Sequence, residues 1–258
     1  MSGWDALDAE LGHWQEAGRV ATFWWRDDDA GRAMPALDRL LALAANYDVP
    51  LGLAAIPAAL DDVAARRIAA EPLAAVLLHG WRHDNHARAG EKKSEFPASR
   101  GTDVMLGDLR HGLGVLHEAF GGGVLRVLVP PWNRLAPELI PLLPSIGLLG
   151  LSRYLARGAV EVAPRLRQAN CHVDLIDWPG TRGFIGEKAA LTLVCDHLVA
   201  RRTGAVDAEE PTGILSHHLV HDEACWLFLD ALLARLIRHS AARLVAPATL
   251  FPGAANGR

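Results

Sequence analysis

The feature that most constrains the fold is a regular alternation of short apolar runs with helical patterns. Strand-like runs occur at residues 20–25, 51–56, 74–78, 124–129, 148–152, 173–176, 214–216 and 243–246. Helical spacing of apolar residues is found at 34–47, 57–70, 103–120, 137–145, 187–201 and 223–240. Strands that alternate with crossover helices are typical of a parallel sheet. Seven or eight such units in about 250 residues predict a (β/α) barrel of the α/β class rather than an open sheet.

The length and composition fit one large domain. The chain has 258 residues, and half of them are hydrophobic, which is enough for a single sizeable core. We therefore expect residues 1–258 to form one barrel domain. Within residues 1–18, the apolar side chains of Trp4, Leu7, Leu11 and Trp14 recur at helical spacing, which predicts an amphipathic helix packed on the barrel.

Charge and cysteine content exclude several classes of protein. The formal net charge is −4 and no basic block occurs, so a nucleic-acid partner is not expected. The cysteines Cys171, Cys195 and Cys225 lack metal-type spacing, and unpaired cysteines suit a reducing compartment. The first residues do not resemble a secretory signal, and no apolar run reaches transmembrane length. These features favour a cytoplasmic protein.

Three adjacent carboxylates, Asp27, Asp28 and Asp29, follow the first strand-like run. They repel one another, and a bound cation would relieve that repulsion. Because side chains alternate along a strand, Asp28 and Asp29 would point to opposite sides of the sheet. We expect a turn at residues 30–31 to bring both to one site. The spacing leaves open whether the functional pair of aspartates is Asp27 with Asp28 or Asp28 with Asp29.

A histidine cluster follows the third strand-like run. His79 and His83 have the spacing that places two imidazoles on one face of a helical turn, and His86 lies three residues further on. Two imidazoles and one carboxylate leave an open position in a tetrahedral zinc site, as a catalytic centre requires. We expect Asp84 and Asn85 to hold the ring nitrogens that do not bind the metal. The polar loop at residues 87–102 is predicted either to wall the pocket or to run over the surface.

A second histidine pair, His217 and His218, follows the strand-like run at residues 214–216. Histidine is the usual side chain for proton transfer near neutral pH. Adjacent strand residues face opposite sides, so only one of the two faces the site. The pattern itself does not say which.

Taken together, five short motifs resemble those of the polysaccharide deacetylase superfamily, the carbohydrate esterases similar to chitooligosaccharide deacetylases. In order, they are residues 26–30 (RDDDA), 79–83 (HGWRH), 129–132 (VPPW), 174–178 (DLIDW) and 215–217 (LSH). They span most of the chain, from about residue 20 to 220. The resemblance implies an irregular (β/α)7 barrel, in agreement with the alternation of strands and helices.

The resemblance also implies a role for each matching residue. Asp29, His79 and His83 correspond to the ligands of a divalent metal, for which Zn²⁺ is the first expectation. Asp28 corresponds to the general base that takes a proton from water. The small residue after the pair, Ala30, favours this register over one with Asp27 as the base.

The remaining implied roles concern the leaving group and the oxyanion. By position, His217 is the general acid that protonates the leaving amine. Asp174 orients His217, and the backbone N–H of Trp132 stabilises the oxyanion.

The chain departs from the family pattern at two positions. Ala30 replaces a glycine, and Val129 stands where the family has the arginine that pairs with the base. An unpaired base has a less controlled pKa. Arg26 or Arg134 is expected to substitute for that arginine.

We therefore predict a metal-dependent hydrolase that removes an N-acyl group, acetyl first, from an amino sugar or glycoconjugate. The tryptophans Trp81, Trp132 and Trp178 lie beside the motifs, where they would either stack on sugar rings or pack at the barrel mouth, and His86 is a further substrate-binding candidate. The start of the sequence favours a small sugar, a glycolipid headgroup or another amide over a cell-wall polymer.

Two alternatives remain open. One is hydrolysis of a non-sugar amide or ureido compound at the same site. The other is a barrel that binds carbohydrate without turnover. We expect the apolar helix at residues 223–240 to pack in the core; packing on another subunit is the alternative. The sequence does not determine an oligomeric state.

Overall fold

The computed structural model describes residues 3–255, so residues 1–2 and 256–258 of the predicted domain lie outside the described part. The strands are Ala21–Ala30 (β1), Leu51–Ala55 (β2), Ala74–Leu78 (β3), Val124–Leu128 (β4), Gly150–Leu151 (β5), Glu161–Ala163 (β6), Leu166–Gln168 (β7), Val173–Asp174 (β8), Thr212–Ser216 (β9) and Ala242–Leu244 (β10). The helices are Gly3–Glu16 (α1), Pro35–Tyr47 (α2), Asp62–Ala69 (α3), Thr102–Phe120 (α4), Glu187–Thr203 (α5), Glu223–Arg238 (α6) and Pro247–Leu250 (α7). None of these helices has the length and apolar character needed to cross a membrane.

All the strands belong to one curled sheet, which confirms the predicted irregular (β/α) barrel. Its order is β6-β7-β5-β4-β3-β2-β1-β9-β8, and β10 pairs with the start of β1. The neighbours are parallel except for the antiparallel pair β6 and β7. A bridge between Tyr154 and Cys171 joins the segments that follow β5 and precede β8, so it brings the two sides of the sheet together. The carboxyl ends of the parallel strands therefore surround one mouth.

The side chains of β1 alternate between two apolar layers. Phe23 and Trp25 belong to the larger core, which lies between the sheet and the helices. Trp24 belongs to a smaller cluster with Val127 and Phe251 inside the curled sheet. By the same alternation, Arg26 and Asp28 face the inside of the barrel. The strand thus delivers two charged groups into an enclosed space.

The N-terminal helix α1 packs against α5. It buries Leu7, Leu11 and Trp14, in line with the helical spacing of these residues. Two ion pairs fasten its polar side, from Arg202 to Glu10 at 2.7 Å and from Arg235 to Asp8 at 2.6 Å. The helix therefore covers the outer wall of the barrel beside α5.

Several elements differ from the sequence prediction for local physical reasons. The segment predicted as one helix at 57–70 is a 3-10 turn, Pro57–Ala59, followed by α3, whose N-cap is Asp61. The segment Pro137–Ile146 is a 3-10 helix, because Pro141 and Pro144 lack the N–H groups an α-helix needs. The short hairpin of β6 and β7 was missed, since its strands have three residues each.

Candidate metal-dependent active site

The acidic triplet lies within β1, not after it, and the predicted turn at residues 30–31 was wrong. Strand β1 continues to Ala30, with an irregular register against β2 between Asp27 and Ala30. Within that irregularity Asp29 has a φ of 74°, a left-handed conformation that aspartate tolerates better than most residues. A bulge of this kind redirects a side chain. It therefore does what the turn was expected to do, bringing Asp28 and Asp29 to the same mouth.

Asp29, His79 and His83 form a compact group of possible metal ligands. The Oδ1 atom of Asp29 lies 3.1 Å from Nε2 of His79 and 3.4 Å from Nε2 of His83. One donor atom from each residue falls within 4.8 Å of the others. Two imidazole nitrogens and one carboxylate oxygen at this spacing fit a divalent cation and leave further coordination positions free.

Hydrogen bonding orients the buried ring of His79 for this purpose. Its Nδ1 lies 2.9 Å from the carbonyl oxygen of Val129, so Nδ1 carries a proton, and Nε2, which faces Asp29, is the nitrogen that would bind a metal once deprotonated. The expectation that Asp84 and Asn85 would hold the ring nitrogens was wrong here. Asp84 is exposed, and the Oδ1 atom of Asn85 accepts the backbone N–H of Ser94 at 3.0 Å.

The charges in this group shift the pKa of its members. Burial raises the pKa of Asp29, but the hydrogen bond and charge of His79 outweigh burial, and the net pKa lies well below its ordinary value. Burial opposes the charged form of His79, yet Asp28 and Asp29 together raise its pKa. Burial and the neighbouring His79 lower the pKa of His83. The carboxylates of Asp28 and Asp29 therefore favour a positive charge at this place, and the group is suited to binding a cation.

A buried glutamate, which the sequence analysis did not identify, holds the turn between the two histidines. The carboxylate of Glu95 accepts the backbone N–H of Arg82 at 2.8 Å and that of Trp81 at 3.2 Å. Gly80 in this turn has a φ of 65°, and a Cβ there would lie 1.9 Å from Oε2 of Glu95. Only glycine therefore fits the close approach of this carboxylate. Burial raises the pKa of Glu95 above its ordinary value.

Arg26 supplies the partner for Asp28 that Val129 does not. The Nε atom of Arg26 lies 2.8 Å from Oδ1 of Asp28, and Nη2 donates to Oδ2 at 2.9 Å. The side chains of Ser152 and Asn133 accept further N–H groups of Arg26, at 2.7 and 2.8 Å, and the carbonyl of Arg153 accepts another at 3.3 Å. Both charged residues are fully or almost fully buried. Arg134, the other predicted substitute, instead donates to the carbonyl of Lys93 at 3.0 Å.

Asp27 occupies a separate place on the other side of β1. Its Oδ1 atom lies 2.5 Å from Nδ1 of His218, and its Oδ2 accepts the hydroxyl of Ser216 at 2.6 Å. These residues are buried among the side chains that pack between the sheet and the helices. Asp27 and His218 thus form a structural pair, which leaves Asp28, Asp29 and His217 facing the mouth.

His217 lies between two carboxylates at the mouth. Its Nε2 is 4.0 Å from Oδ2 of Asp28, and its Nδ1 is 3.9 Å from Oδ1 of Asp174. Trp178 stands edge-on to the imidazole at 4.8 Å and donates its indole N–H to Oδ2 of Asp174 at 2.9 Å. Burial raises the pKa of Asp174. His221 accepts the backbone N–H of His217 at 3.3 Å.

The other aromatic candidates occupy different parts of the rim. The ring of Trp132 packs on His83 at 4.2 Å, and its backbone is left-handed, with a φ of 54°. Trp81 packs edge-on against His111 at 4.5 Å. His86 lies outside the ligand group and its side chain is exposed. Of the three tryptophans, Trp132 and Trp178 thus contact predicted site histidines, and Trp81 does not.

The polar loop after the histidine cluster is fixed as a wall of the site. Phe96 is fully buried and pairs with Leu135 in a short bridge. Its carbonyl accepts the N–H of Ala136 at 2.7 Å. These contacts tie the loop to the segment that carries Trp132, so it forms one side of the mouth.

A second group of possible ligands, His172, His197 and Glu210, lies elsewhere in the barrel wall. The Nδ1 atom of His172 accepts the backbone N–H of Gly213 at 2.9 Å, so the proton of the neutral ring is on Nε2. That nitrogen faces Oε2 of Glu210 at 3.4 Å. A protonated nitrogen is not a metal ligand. This group is therefore a buried polar contact.

Comparison with solved structures identifies the fold. A candidate polysaccharide deacetylase from Mycobacterium smegmatis superposes with a TM-score of 0.65 and 13% identity, over 90% of this chain and 89% of that one. A family 4 acetyl xylan esterase from Clostridium thermocellum, in complex with a cobalt ion, gives 0.56 and 16%, over 89% and 90%. A CE4 family pseudoenzyme from Bacillus anthracis gives 0.60 and 13%, over 91% and 66%. The chain has the polysaccharide deacetylase fold.

The sequence itself gives no such match. No family model matches the chain, and none of the curated proteins matches it either. The fold implied by the five motifs is thus confirmed by structure, at identities too low to transfer an activity.

Proposed function

We propose that this chain is a divergent member of the polysaccharide deacetylase superfamily and a metal-dependent hydrolase that removes an N-acyl group, acetyl first, from an amino sugar or glycoconjugate. One observation carries the proposal: a carboxylate held by a buried arginine stands beside a three-ligand group and faces a histidine across the mouth. Asp28 is 4.0 Å from His217, and Asp29 lies within 3.4 Å of both His79 and His83. These side chains supply the ligands, the base and the acid that the proposed hydrolysis requires.

Asp29, His79 and His83 would hold the cation, with Zn²⁺ as the first candidate because imidazole and carboxylate ligands suit it. A divalent cation at such a site supplies Lewis acidity, which polarises a carbonyl and makes water easier to deprotonate. The hydrogen bond from His79 to Val129 fixes the ring that binds it.

Asp28 is the general base in this proposal. Arg26 contacts both of its oxygens and so fixes the orientation of the carboxylate that would accept the proton. His217 is the general acid. Its Nε2, the nitrogen that faces Asp28, donates the proton to the leaving amine. Asp174 lies at the opposite nitrogen of His217 and orients the ring. The backbone N–H of Trp132, on the loop beside His83, is the proposed oxyanion donor.

Trp81, Trp178 and His86 remain candidates for substrate contact. Trp178 supports this role best because it is 39% exposed and lies against His217. The cytoplasmic location suggested by the three unpaired cysteines stays a prediction.

A set of single variants tests the proposal. We expect Asp29→Ala and His79→Ala to lose bound metal, because each removes one of three ligands, whereas Asp28→Asn keeps metal and loses turnover by at least about 100-fold. Metal content is measured after gel filtration, and acetate release is measured on N-acetylglucosamine, its oligomers and a panel of non-sugar amides and ureido compounds. His13→Ala on helix α1 is the matched control.

Loss of metal from Asp28→Asn with retention by Asp29→Ala would show that the assigned register is wrong. Turnover of only the non-sugar amides would show that the proposed substrate class is wrong and that the proposed mechanism still holds.

The second candidate function is a carbohydrate-binding barrel without turnover. It is favoured by one observation, the pseudoenzyme among the structural neighbours. The wild-type protein would then bind N-acetylglucosamine oligomers and release no acetate with Zn²⁺, Co²⁺ or Mn²⁺ present.

A further inference from the structure

The rim of the mouth is divided between apolar and basic side chains. Five exposed apolar residues lie on segments that follow the carboxyl ends of strands, and we call them the apolar arc: Met34, Leu155, Trp178, Leu219 and Val220. Leu155 is 63% exposed and has a φ of 72°, so a strained backbone displays it. Single exposed apolar residues are ordinary, but several on the segments around one mouth indicate an interaction surface.

The apolar arc follows one side of the sheet. Its members come after β1, β5, β8 and β9, and in the sheet β1, β9 and β8 are neighbours. The bridge between Tyr154 and Cys171 brings the segment after β5 beside the segment that leads into β8. Met34, Leu219, Val220 and Trp178 therefore follow neighbouring strands on the side of the mouth that carries His217, and Leu155 lies on the segment tied to the residues before β8.

Most of the exposed cations at the mouth lie after β3 and β4, while Arg32 and Arg182 are exposed on segments of the apolar arc. Five exposed cationic residues make up this basic arc: Arg82, Arg88, Lys92, Lys93 and Arg134. The same segments expose only two acidic residues, Asp84 and Glu91, so the arc has an excess of three positive charges on a chain with a net charge of −4.

The cations of the basic arc are also free of carboxylate partners. Among the described residues, none of the five takes part in an ion pair, whereas exposed arginines on the helices, such as Arg39 and Arg67, do. Arg82 lies over Trp81 at 5.5 Å, and Arg134 donates to a backbone carbonyl. Unpaired cations gathered beside a mouth create a local positive potential.

We propose that this face docks on an anionic lipid surface, and that the amide to be cleaved belongs to a lipid headgroup. The second half of this statement rests on the function proposed above. Basic residues are attracted to anionic headgroups, and exposed aliphatic side chains insert at the boundary with the acyl chains. A soluble sugar polymer would be better served by aromatic faces than by Met34, Leu155, Leu219 and Val220. The ligand group lies between the two arcs, where a headgroup would sit.

Sedimentation with lipid vesicles tests the docking without relying on turnover. The Asp28→Asn protein serves as background, so that a failure of the catalytic proposal leaves this measurement intact. We expect binding to phosphatidylglycerol vesicles at low salt, weak binding to phosphatidylcholine vesicles, and loss of binding at high salt. Lys92→Gln with Lys93→Gln should weaken binding by about 25-fold, on the basis of roughly 1 kcal/mol for each cation near the surface. The control, Arg238→Gln with Arg243→Gln at the opposite end of the barrel, should leave binding unchanged.

The apolar arc is tested by Leu155→Asn with Leu219→Gln, because asparagine tolerates the left-handed backbone at residue 155. This pair should weaken binding at least five-fold, while Leu227→Gln with Ile237→Gln, equally exposed on α6, should not. Equal binding to both kinds of vesicle, or to neither, would overturn the proposal. So would undiminished binding by the apolar pair together with equally tight binding to soluble polyphosphate, which would indicate an anionic ligand in solution.

The substrate half has its own comparison. Wild-type protein should release acetate faster from an N-acetylglucosaminyl lipid in phosphatidylglycerol vesicles than from N-acetylglucosamine in solution. Equal rates with intact docking would refute the headgroup substrate alone, and no release from either would count against the proposed function.

Discussion

Arg26 shows how one residue can take over a task from a distant position. It lies two residues before Asp28 on the same strand, so both side chains face the inside of the barrel. From there the guanidinium reaches both oxygens of Asp28 and is itself held by Ser152 and Asn133. Val129, the position at which the family resemblance places an arginine, is consequently free to pack as a buried apolar side chain.

We predict that Arg26→Met destabilises the protein by about 3–5 kcal/mol, since it leaves a buried carboxylate without its partner. The free energy of unfolding in urea measures this cost. Arg26→Met combined with Asp28→Asn should be more stable than Arg26→Met alone, because the uncompensated charge is gone. Arg39→Met breaks an exposed pair with Glu223 and should cost less than about 1 kcal/mol. Equal costs at the two arginines would contradict the buried pairing.

The sequence predicted much of this site, because the motifs place Asp28, Asp29, His79, His83 and His217 at strand ends that meet. It could not choose between Arg26 and Arg134, since a contact between side chains depends on the direction each takes after its strand. Glu95, Asn133 and Ser152 carry no motif of their own. A polar residue of this kind is recognised only once its burial and its partners are known.

At the scale of the element, the turn from His79 to His83 depends on what lies beneath it. The turn is too short for a helix, and His83 has a φ of 61°, so local hydrogen bonds within a helix do not hold it. The carboxylate of Glu95 accepts two backbone N–H groups in their place. The wall loop thus fixes the distance between two proposed ligands.

We expect Gly80→Ala to weaken Zn²⁺ binding by at least about ten-fold, because a Cβ at residue 80 would displace the Glu95 carboxylate and shift the turn. Glu95→Ala should have a similar effect. Equilibrium titration with a chromophoric zinc chelator gives the dissociation constants. The control is Gly114→Ala on α4, where an added Cβ meets nothing within 4 Å. Unchanged zinc affinity in both site variants would show that the turn keeps its geometry without the Glu95 carboxylate.

The longer elements were predictable, because their apolar spacing extends over several turns or over a buried strand. Helices α2 and α4 and strands β2 and β3 match within a residue or two at either end. The hairpin of β6 and β7 was not predictable, since strands of three residues contain too little alternation to be distinguished from a loop. The extension of β1 through three aspartates was also hidden, because such a run is typical of a solvated turn.

At the scale of the whole molecule, several histidines are buried in their neutral form. Burial lowers the pKa of His197 to about 2 and that of His221 to about 4. In the unfolded chain both would titrate near 6.5. The unfolded state therefore binds more protons between these values. The stability that these groups contribute is complete above about pH 6.5 and declines as the pH falls below it.

We predict that the free energy of unfolding drops between pH 6.5 and pH 5, with His197 alone contributing up to about 1.4 kcal/mol per pH unit against the opposite effect of His79 and His218, whose pKa values are raised. His197→Gln removes one such group and should flatten the dependence, whatever its effect at neutral pH. Urea unfolding at pH 7, 6 and 5 provides the slope. The exposed His13→Gln should leave it unaltered. A slope identical in His197→Gln and wild type would mean that this ring is not buried in its neutral form.

The ion pair between Arg26 and Asp28 also predicts a pattern of sequence variation among related proteins. Because Arg26 supplies the partner of Asp28 that the family resemblance places at residue 129, we expect selection to act on the combination of residues 26 and 129 rather than on either one alone. Descendants of the same ancestor should carry a guanidinium at one of the two sites and an aliphatic group at the other. Chains with neither arginine should have lost the pressure to keep Asp28.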